Sequence, residues 1–414
     1  MRKRVVVTGL GTVNPVGLDT NAFWESLVSA RNGIGLISRF DTSKFDTKFA
    51  AEVKNFDPSL YLDKKAVRRL DLFSQFAIAS SDQALKDAAI TKNGFDPDRI
   101  GIVFGSGIGG VQTMQEQHRV YFDGLDPSKI SPFFITMMIA DIAAGHISIR
   151  HGFKGPNYST TSACATSSHS IADAFMIIQR GSADIMLCGG SEASITEIAI
   201  GGFNAMRALS VDNENYQTAS KPFDLNRSGF VMGEGAGTLV LEELEHARKR
   251  GARIYAELKG IGLTADAYHM TQPHPDGDGA VRSMKLSIKD AGISEEEIDY
   301  INAHGTSTPF NDVTETKAIK TVFGQHAYNL HISSIKSMTG HLLGAAGAIE
   351  AIATVLAVHH DTIPPTINYK TPDPDCDLNY TPNKAVQKKV RNAISNTFGF
   401  GGHNASLLFS KFIN

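Results

Sequence analysis

Three side chains in this sequence stand in surroundings that suit covalent chemistry: Cys164, His304 and His341. Cys164 lies in Tyr158-Ser-Thr-Thr-Ser-Ala-Cys-Ala-Thr-Ser-Ser-His-Ser, a collar of small residues. Behind it an apolar helical pattern begins with Ile171, Ala172, Ala174, Phe175 and Ile178. The thiol therefore sits at or just before a helix N-terminus. Free N–H groups and the helix dipole there favour a thiolate and lower its pKa below the usual value of about 8.5. A cysteine between a strand and a helix is also a common inert core residue, and the small neighbours leave the two readings level. His304 ends an apolar run, in Tyr300-Ile-Asn-Ala-His-Gly-Thr-Ser-Thr-Pro. Strand ends that feed such loops are where α/β folds put active groups. His341 follows a glycine and precedes a small-residue helix, in Lys336-Ser-Met-Thr-Gly-His-Leu-Leu-Gly, with Lys336 five residues before it. Neutral imidazoles donate to developing oxyanions or act as bases. A thiol with two of them suits a route through a thioester and then an enolate. Zinc is the competing use, but the sequence has no Cys-x-x-Cys and no His-Glu-x-x-His. The remaining histidines, His403 included, read as surface or structural residues.

Two glycine-rich stretches flank these residues. Gly105-Ser-Gly-Ile-Gly-Gly110 satisfies G-x-G-x-x-G after a strand. A dinucleotide site also needs a second strand ending in an acidic residue about 20 residues on, and Tyr121-Phe-Asp-Gly-Leu-Asp-Pro stands there instead. The stretch reads as a tight loop that sets Ile108 beside a pocket. Phe398-Gly-Phe-Gly-Gly-His-Asn404 follows another strand. Its backbone N–H groups suit an oxyanion hole, with Phe400 as a gate between glycines; a tight turn with packed aromatics is the alternative.

The elements that must hold these residues alternate. Apolar, β-branched runs predict strands at Arg4–Thr8, Ile100–Phe104, Asp184–Gly189, Gly237–Glu242, Arg253–Ile261, Tyr300–Ala303, His331–Ser333, Ala393–Asn396 and Ala405–Ser410. Helical periodicity marks Asp71–Ala89, Ala165–Ile178, Gly279–Ala291 and Gly347–His359. Such alternation predicts an α/β fold with buried sheets. A Gly-Leu-Gly turn after the first strand and a Gly-Ile-Gly turn after Arg253–Ile261 hint at an internal repeat. The expected division is residues 1–252, carrying the cysteine, and 253–414, carrying both histidines. The formal net charge of -3 gives no field that draws the chain to nucleic acid or to an anionic membrane. Three scattered cysteines suit a reducing compartment. The first apolar run stops at Gly9, too short for a signal segment, and no run reaches about 18 uninterrupted apolar residues. The expected location is the cytosol.

Taken together, the motifs resemble those of the β-ketoacyl-acyl-carrier-protein synthases, in the branch with a Cys-His-His triad. They are Val5-Val-Val-Thr-Gly-Leu-Gly, the Ser162-Ala-Cys-Ala collar, Pro222-Phe-Asp-x-x-Arg227-x-Gly-Phe, Gly233-Glu-Gly-Ala-Gly, His304-Gly-Thr-Ser-Thr-Pro, Lys336-Ser-x-x-Gly-His341 and Phe398-Gly-Phe-Gly-Gly. They cover essentially the whole chain, and its length and the Ile108 loop look most like the synthase II branch, which elongates longer acyl chains. The resemblance implies a thiolase-like fold of two similar halves, each a mixed sheet packed on helices in five layers (αβαβα), in a homodimer. It implies that Cys164 carries the acyl chain as a thioester, with the N–H groups of Cys164 and Phe400 as oxyanion donors. His304 and His341 then assist decarboxylation of malonyl-carrier protein and hold the enolate, with Lys336 orienting His341. It assigns Ile108 and Phe203 to the acyl pocket, Phe400 to the gate, and Thr306 and Thr308 to the pantetheine arm. It suggests a structural monovalent cation at Asn302, Glu350, Ser395 and Asn396. No cofactor is required, because phosphopantetheine arrives on the carrier protein. Gln272 departs from the small residue that relatives often have near the pantetheine entrance. Lys64, Lys65, Arg68 and Arg69 recur at one-turn spacing and so share a helix face, extended by Lys129 and Arg207; such a patch would steer an acidic carrier protein, and a merely solvated face is the other reading. Among rivals, a thiolase or synthase III would use coenzyme A, and synthase III resembles a Cys-His-Asn arrangement; chain-length factors lack the cysteine, and a cysteine hydrolase gives no reason for His341. A stand-alone polyketide ketosynthase would share the same catalytic residues.

Overall fold

The computed structural model describes residues 2–91 and 94–413. Its central sheet has strands β1 (Val5–Val13), β2 (Ile100–Gly105), β3 (Asn157–Tyr158), β4 (Ile185–Glu192), β5 (Gly235–Glu243), β6 (Ala256–Ala265), β7 (Tyr300–Asn302), β8 (His331–Ser333), β9 (Asn392–Gly399) and β10 (His403–Ser410). The lateral order is β8-β7-β9-β10-β6-β1-β5-β4-β2-β3. Outward from the centre, β6, β10, β9, β7 and β8 repeat the places of β1, β5, β4, β2 and β3. The pairing sense repeats too: in each half two antiparallel pairs come first, then two parallel ones. The halves join where Val5–Val7 of β1 pair antiparallel with Ala256, Glu257 and Leu258 of β6.

Every residue of β1, β2 and β4 is buried, as expected for strands covered on both faces. Helix α1 (Leu72–Asp87) packs on β1 and β5, and α3 (Asp278–Ala291) packs on β6 and β10 in the same way. Helices α2 (Thr166–Arg180) and α5 (Ala346–His360) touch each other and strands of both halves. The sheet therefore doubles around this helix pair, which gives five layers. Helix α4 (Pro309–Phe323) packs against α3. Among the described residues, the one helical stretch long and apolar enough to cross a membrane, Leu343–His360, is 89% buried inside the protein.

The two Gly-x-Gly stretches are not turns. Both lie inside strands that run on to Val13 and Ala265. A Cβ on Gly11 would stand 2.0 Å from the Ser80 carbonyl of α1, and one on Gly262 would stand 1.9 Å from the Ser283 carbonyl of α3. The repeated glycines let each outer helix lie directly on its sheet.

Candidate active site

Helices α2 and α5 begin alike. A 3-10 turn feeds each of them, Ala163–Ala165 and Leu343–Ala345. Each turn opens on a residue in the left-handed region, Ala163 at φ 50° and Leu343 at φ 49°. The middle residue is Cys164 in one turn and Gly344 in the other. The last residue of a sheet strand faces each turn. Gly399 of β9 comes so close to the cysteine turn that a Cβ would lie 3.0 Å from the Ser162 carbonyl and 3.2 Å from Cys164 N. Glu192 of β4 accepts the Gly344 N–H at 3.0 Å.

The sulfur and one nitrogen from each of His304 and His341 lie within 4.8 Å of one another. His341 Nε2 stands 3.1 Å from Cys164 Sγ. The proton positions follow from the partners on the far side of each ring. Leu343 N–H donates to His341 Nδ1 at 3.3 Å. Lys336 Nζ, a donor only, lies 3.3 Å from His304 Nδ1 and donates to the His304 carbonyl at 2.6 Å. Both Nδ1 atoms thus accept, so each neutral ring carries its proton on Nε2 and turns that N–H toward the thiol. Burial, with the Lys336 charge second, holds both imidazoles well below the usual histidine range. A zinc ion would need lone pairs where these rings present hydrogens, so the trio reads as one sulfur facing two N–H donors.

Lys336 was expected to orient His341. The ring it contacts is His304, and it acts on His341 through its charge alone. Lys336 and Glu350 form a fully buried ion pair between the start of a short helix and α5. The His304 backbone is held from the other side by Glu315 of α4, which accepts the N–H groups of His304 at 2.9 Å and Gly305 at 2.8 Å. Strand-like bonds fix the His341 backbone: its N–H donates to Val231 O at 2.7 Å and its carbonyl accepts from Gly233 at 2.9 Å. Sequence reading missed Glu315, although an acid inside the helix after a strand-end histidine was a usable signal.

The expected low thiol pKa is reversed. Cys164 is 8% exposed. Burial pushes the thiol up to about 11, against the Lys336 charge and the N–H groups of Phe400 and Cys164 itself. Desolvation outweighs the helix start. The two N–H groups named for the oxyanion hole do converge on the sulfur. Phe398 and Gly399 belong to β9, and Phe400 and Gly401 form the tip of its hairpin with β10; Gly401 has φ 84°, as position i+2 of a type II turn requires. His403, the first residue of β10, lies beside this tip, 6.4 Å from the His169 ring.

A cavity of about 480 Å³ opens onto Cys164, His304 and His341. Ile108, Phe203, Thr306, Thr308, Phe400, Arg207 and Gln272 all line it, so the residues expected at the acyl pocket, gate and entrance share one space. Thr306 and Thr308 bond each other through their hydroxyls at 2.9 Å. Phe230, which sequence reading did not single out, also lines the cavity and stands edge-on to His341 at 5.4 Å. The N–H groups of the G-x-G-x-x-G loop are used within the chain: those of Gly107 and Ile108 donate to Glu192, at 2.9 and 3.3 Å. Burial pushes the Glu192 carboxyl up to about 7 against these donors.

The basic residues Lys64, Lys65, Arg68, Arg69, Lys129 and Arg207 are exposed. They do not share one helix face. The helix there is only Lys64–Val67, because Arg68 caps it and Asp71 starts the next. Asn302 Oδ1, Ser395 Oγ and Glu350 Oε2 are buried without hydrogen-bond partners, and Asn302 and Ser395 are register neighbours across β7 and β9. Three orphaned oxygens fit a hard cation. Asn396 falls out of that set: its Oδ1 accepts from Ser406 at 2.7 Å and its Nδ2 points to Met284 and Glu315.

Residues 2–247 match the β-ketoacyl synthase N-terminal domain and residues 255–370 the C-terminal domain of the same enzymes. A 3-oxoacyl-[acyl-carrier-protein] synthase 2 from Synechocystis is 52% identical, covering 99% of each chain. Its namesake from Staphylococcus aureus strain N315 is 51% identical over the same shares. Among solved structures, the ishigamide ketosynthase/chain length factor superposes with a TM-score of 0.94 at 36% identity, covering 100% of both chains. A β-ketoacyl synthase from Burkholderia phymatum superposes with a TM-score of 0.93 at 35% identity, covering 99% of this chain and 100% of its own. The fold, the cysteine between two imidazoles and these matches agree that the chain belongs to the β-ketoacyl synthase family, on the thiolase-like fold.

Proposed function

We propose that this protein is a 3-oxoacyl-[acyl-carrier-protein] synthase of the synthase 2 kind, which lengthens fatty acyl chains by decarboxylative Claisen condensation. The observation that carries the reading is the pair of Nε2–H donors aimed with the Cys164 thiol into one cavity. In the first half-reaction the Cys164 sulfur attacks the carrier-bound thioester. The N–H groups of Cys164 and Phe400 hold the oxyanion, and the carrier thiol leaves with the proton. Malonyl-carrier protein then binds with its thioester carbonyl between His304 and His341. Carbon dioxide leaves, and the two N–H donors stabilise the enolate oxygen. The enolate carbon attacks the acyl-Cys164 carbonyl, the C–S bond breaks with Cys164 leaving as a thiolate that takes a proton from water, and a 3-oxoacyl-carrier protein departs.

The reading includes a homodimer in the cytosol that needs no cofactor beyond the carrier's phosphopantetheine. Thr306 and Thr308 receive that arm. Lys64, Lys65, Arg68, Arg69, Lys129 and Arg207 attract the acidic carrier. A monovalent cation on Asn302, Ser395 and Glu350 would be structural. The division at residues 252 and 253 separates a half that owns the nucleophile from one that owns both donors. Polyketide use is the second reading, favoured by the likeness to a type II polyketide ketosynthase solved with its acyl-carrier protein, 36% identical with a TM-score of 0.92 over the full chain. The relatives above 50% identity favour fatty acids.

The test is condensation by purified enzyme with malonyl-carrier protein and acyl-carrier proteins of several chain lengths. Cys164→Ala should abolish it; retained condensation would refute the assignment. Cys164→Gln should keep malonyl decarboxylation running, while His304→Ala should stop it. Preference for polyketide-like acyl groups over saturated chains would favour the second reading.

A further inference from the structure

Glu192 lies outside the catalytic set, yet it touches both walls of the cavity. It ends β4 and is fully buried. Its partners are neutral donors from two loops and its own strand end. On one side Ser106 Oγ donates at 3.1 Å, Gly107 N–H at 2.9 Å and Ile108 N–H at 3.3 Å. On the other side Gly344 N–H donates at 3.0 Å. Ser194 Oγ completes the shell at 3.1 Å. The first loop carries Ile108, which faces the cavity; the second is the turn whose Leu343 N–H sets the His341 ring. The loops also meet directly. A Cβ on Gly344 would lie 2.2 Å from Gly107 N, so one cannot move without the other or without the carboxylate. An unbroken series of hydrogen bonds runs from the Ile108 N–H through Glu192 to Gly344. The next residue back, Leu343, holds His341, whose Nε2 faces Cys164 Sγ.

We propose that Glu192 is a positioning residue that couples occupancy of the acyl pocket at Ile108 to the placement of His341, and so makes the rate of carbon–carbon bond formation depend on the chain that Cys164 carries. A tail long enough to press on Ile108 shifts the Gly107–Ile108 backbone. The carboxylate carries that shift to the turn at Gly344. A short tail leaves the loop, and His341, where they stand in the empty enzyme. Two residues on separate loops are thereby read together, and chain length acts on kcat as well as on binding.

The inference rests on the proposed condensing activity, so its test has one arm that needs no condensation. In that arm Cys164 is alkylated with N-alkyl iodoacetamides bearing short and long tails, and the rate is followed by intact mass. Wild type should show a tail-length slope in the maximal alkylation rate. Glu192→Gln keeps the shape but replaces one acceptor oxygen with a donor facing N–H groups. Losing hydrogen bonds to a charged group is worth roughly tenfold or more in rate, so the long-to-short ratio should collapse by about that factor while half-saturating concentrations change little. In the second arm, condensation kcat should flatten across chain lengths with KM preserved. A uniform fall for every length, or a slope equal to that of wild type, would overturn the proposal. Ser106→Ala removes one donor from the Ile108 side and keeps the carboxylate; it should give an intermediate slope, and it serves if Glu192→Gln does not fold. A wild type that alkylates with a slope Glu192→Gln abolishes, but condenses nothing, would sink the condensing activity and leave the coupling standing.

Discussion

Replacing Lys336 with methionine tests how the two rings keep their tautomers. The side chain is 1% exposed and its ammonium has three neighbours: Glu350, the His304 carbonyl and His304 Nδ1. Methionine fills similar volume but donates nothing. Removing one member of a buried ion pair costs about 3–5 kcal/mol, because the other charge stays without a partner. Here Glu350 can escape part of that cost by taking a proton. Burial already pushes its carboxyl up to about 7 even with Lys336 beside it. The pH dependence follows. A native carboxyl raised above its unfolded value of about 4.3 keeps a proton that the unfolded chain has released, so stability falls as pH rises through that interval. The variant should therefore be weakest relative to wild type above pH 7 and recover toward pH 5. Adding Glu350→Gln should restore about 1–3 kcal/mol, a coupling that a double-mutant cycle by urea denaturation reads directly. The catalytic effect is separate. With Nδ1 free, His304 can move its proton there and lose the Nε2–H donor, which should cost roughly a hundredfold in decarboxylation. Decarboxylation is measured in the Cys164→Gln background, where acyl transfer cannot interfere. A variant that loses less than about 1 kcal/mol, or that decarboxylates at the parent rate, would refute the argument from the buried pair and from the tautomer, respectively.

Three further outcomes are expected. Because both imidazoles are held well below the ordinary histidine range, decarboxylation should stay level from about pH 8 down to about pH 6 and fall only in more acid solution; a midpoint near 6.5 would show a ring that titrates normally. Gly399→Ala would put a methyl 3.0–3.2 Å from three backbone atoms of the cysteine turn. It should slow acyl transfer to Cys164 roughly tenfold or more by pushing the hairpin tip from the sulfur, with an unfolding temperature close to that of the parent. Charge reversal at Lys65 and Arg68, both exposed, should raise KM for carrier-bound substrates most strongly at low salt and leave kcat and pantetheine-only substrates unchanged; an unchanged KM would mean the carrier docks elsewhere.

Much of the fold was legible in the chain. Apolar runs located nine of the ten strands of the central sheet, and helical periodicity located α1, α2, α3 and α5. Residue patterns are weakest where an element is short or borrows its environment. Strand β3 has only two residues, Asn157 and Tyr158, both exposed. Helix α4 has a polar surface, and its Glu315 is apolar in no scale yet fully buried. The catalytic residues were legible because glycine and small neighbours mark strand ends and helix starts. Their electrostatics were not. The sign of the Cys164 shift depends on how much water the fold removes, and the partner of Lys336 depends on which ring lies above it. Both are properties of packing between segments more than 100 residues apart for the first and more than 30 for the second. Glu192 escaped for the same reason: an acid at the end of an apolar strand looks like a strand exit until two loops are seen to close over it.

Helices α2 and α5 come from opposite halves, and one apolar cluster includes Ile171, Phe175 and Leu239 from the first with Ala256, Ile352 and Leu356 from the second. A fragment ending near residue 252 would leave the inner face of α2 wet, and its complement would do the same to α5. Each piece keeps a smaller core of its own, but the largest core belongs to both, although the backbone plan was written twice. The duplication repeats an architecture and leaves its largest core shared between the two copies. A split version of the enzyme should accordingly yield insoluble parts when the genes are expressed apart and a soluble, active pair when they are expressed together.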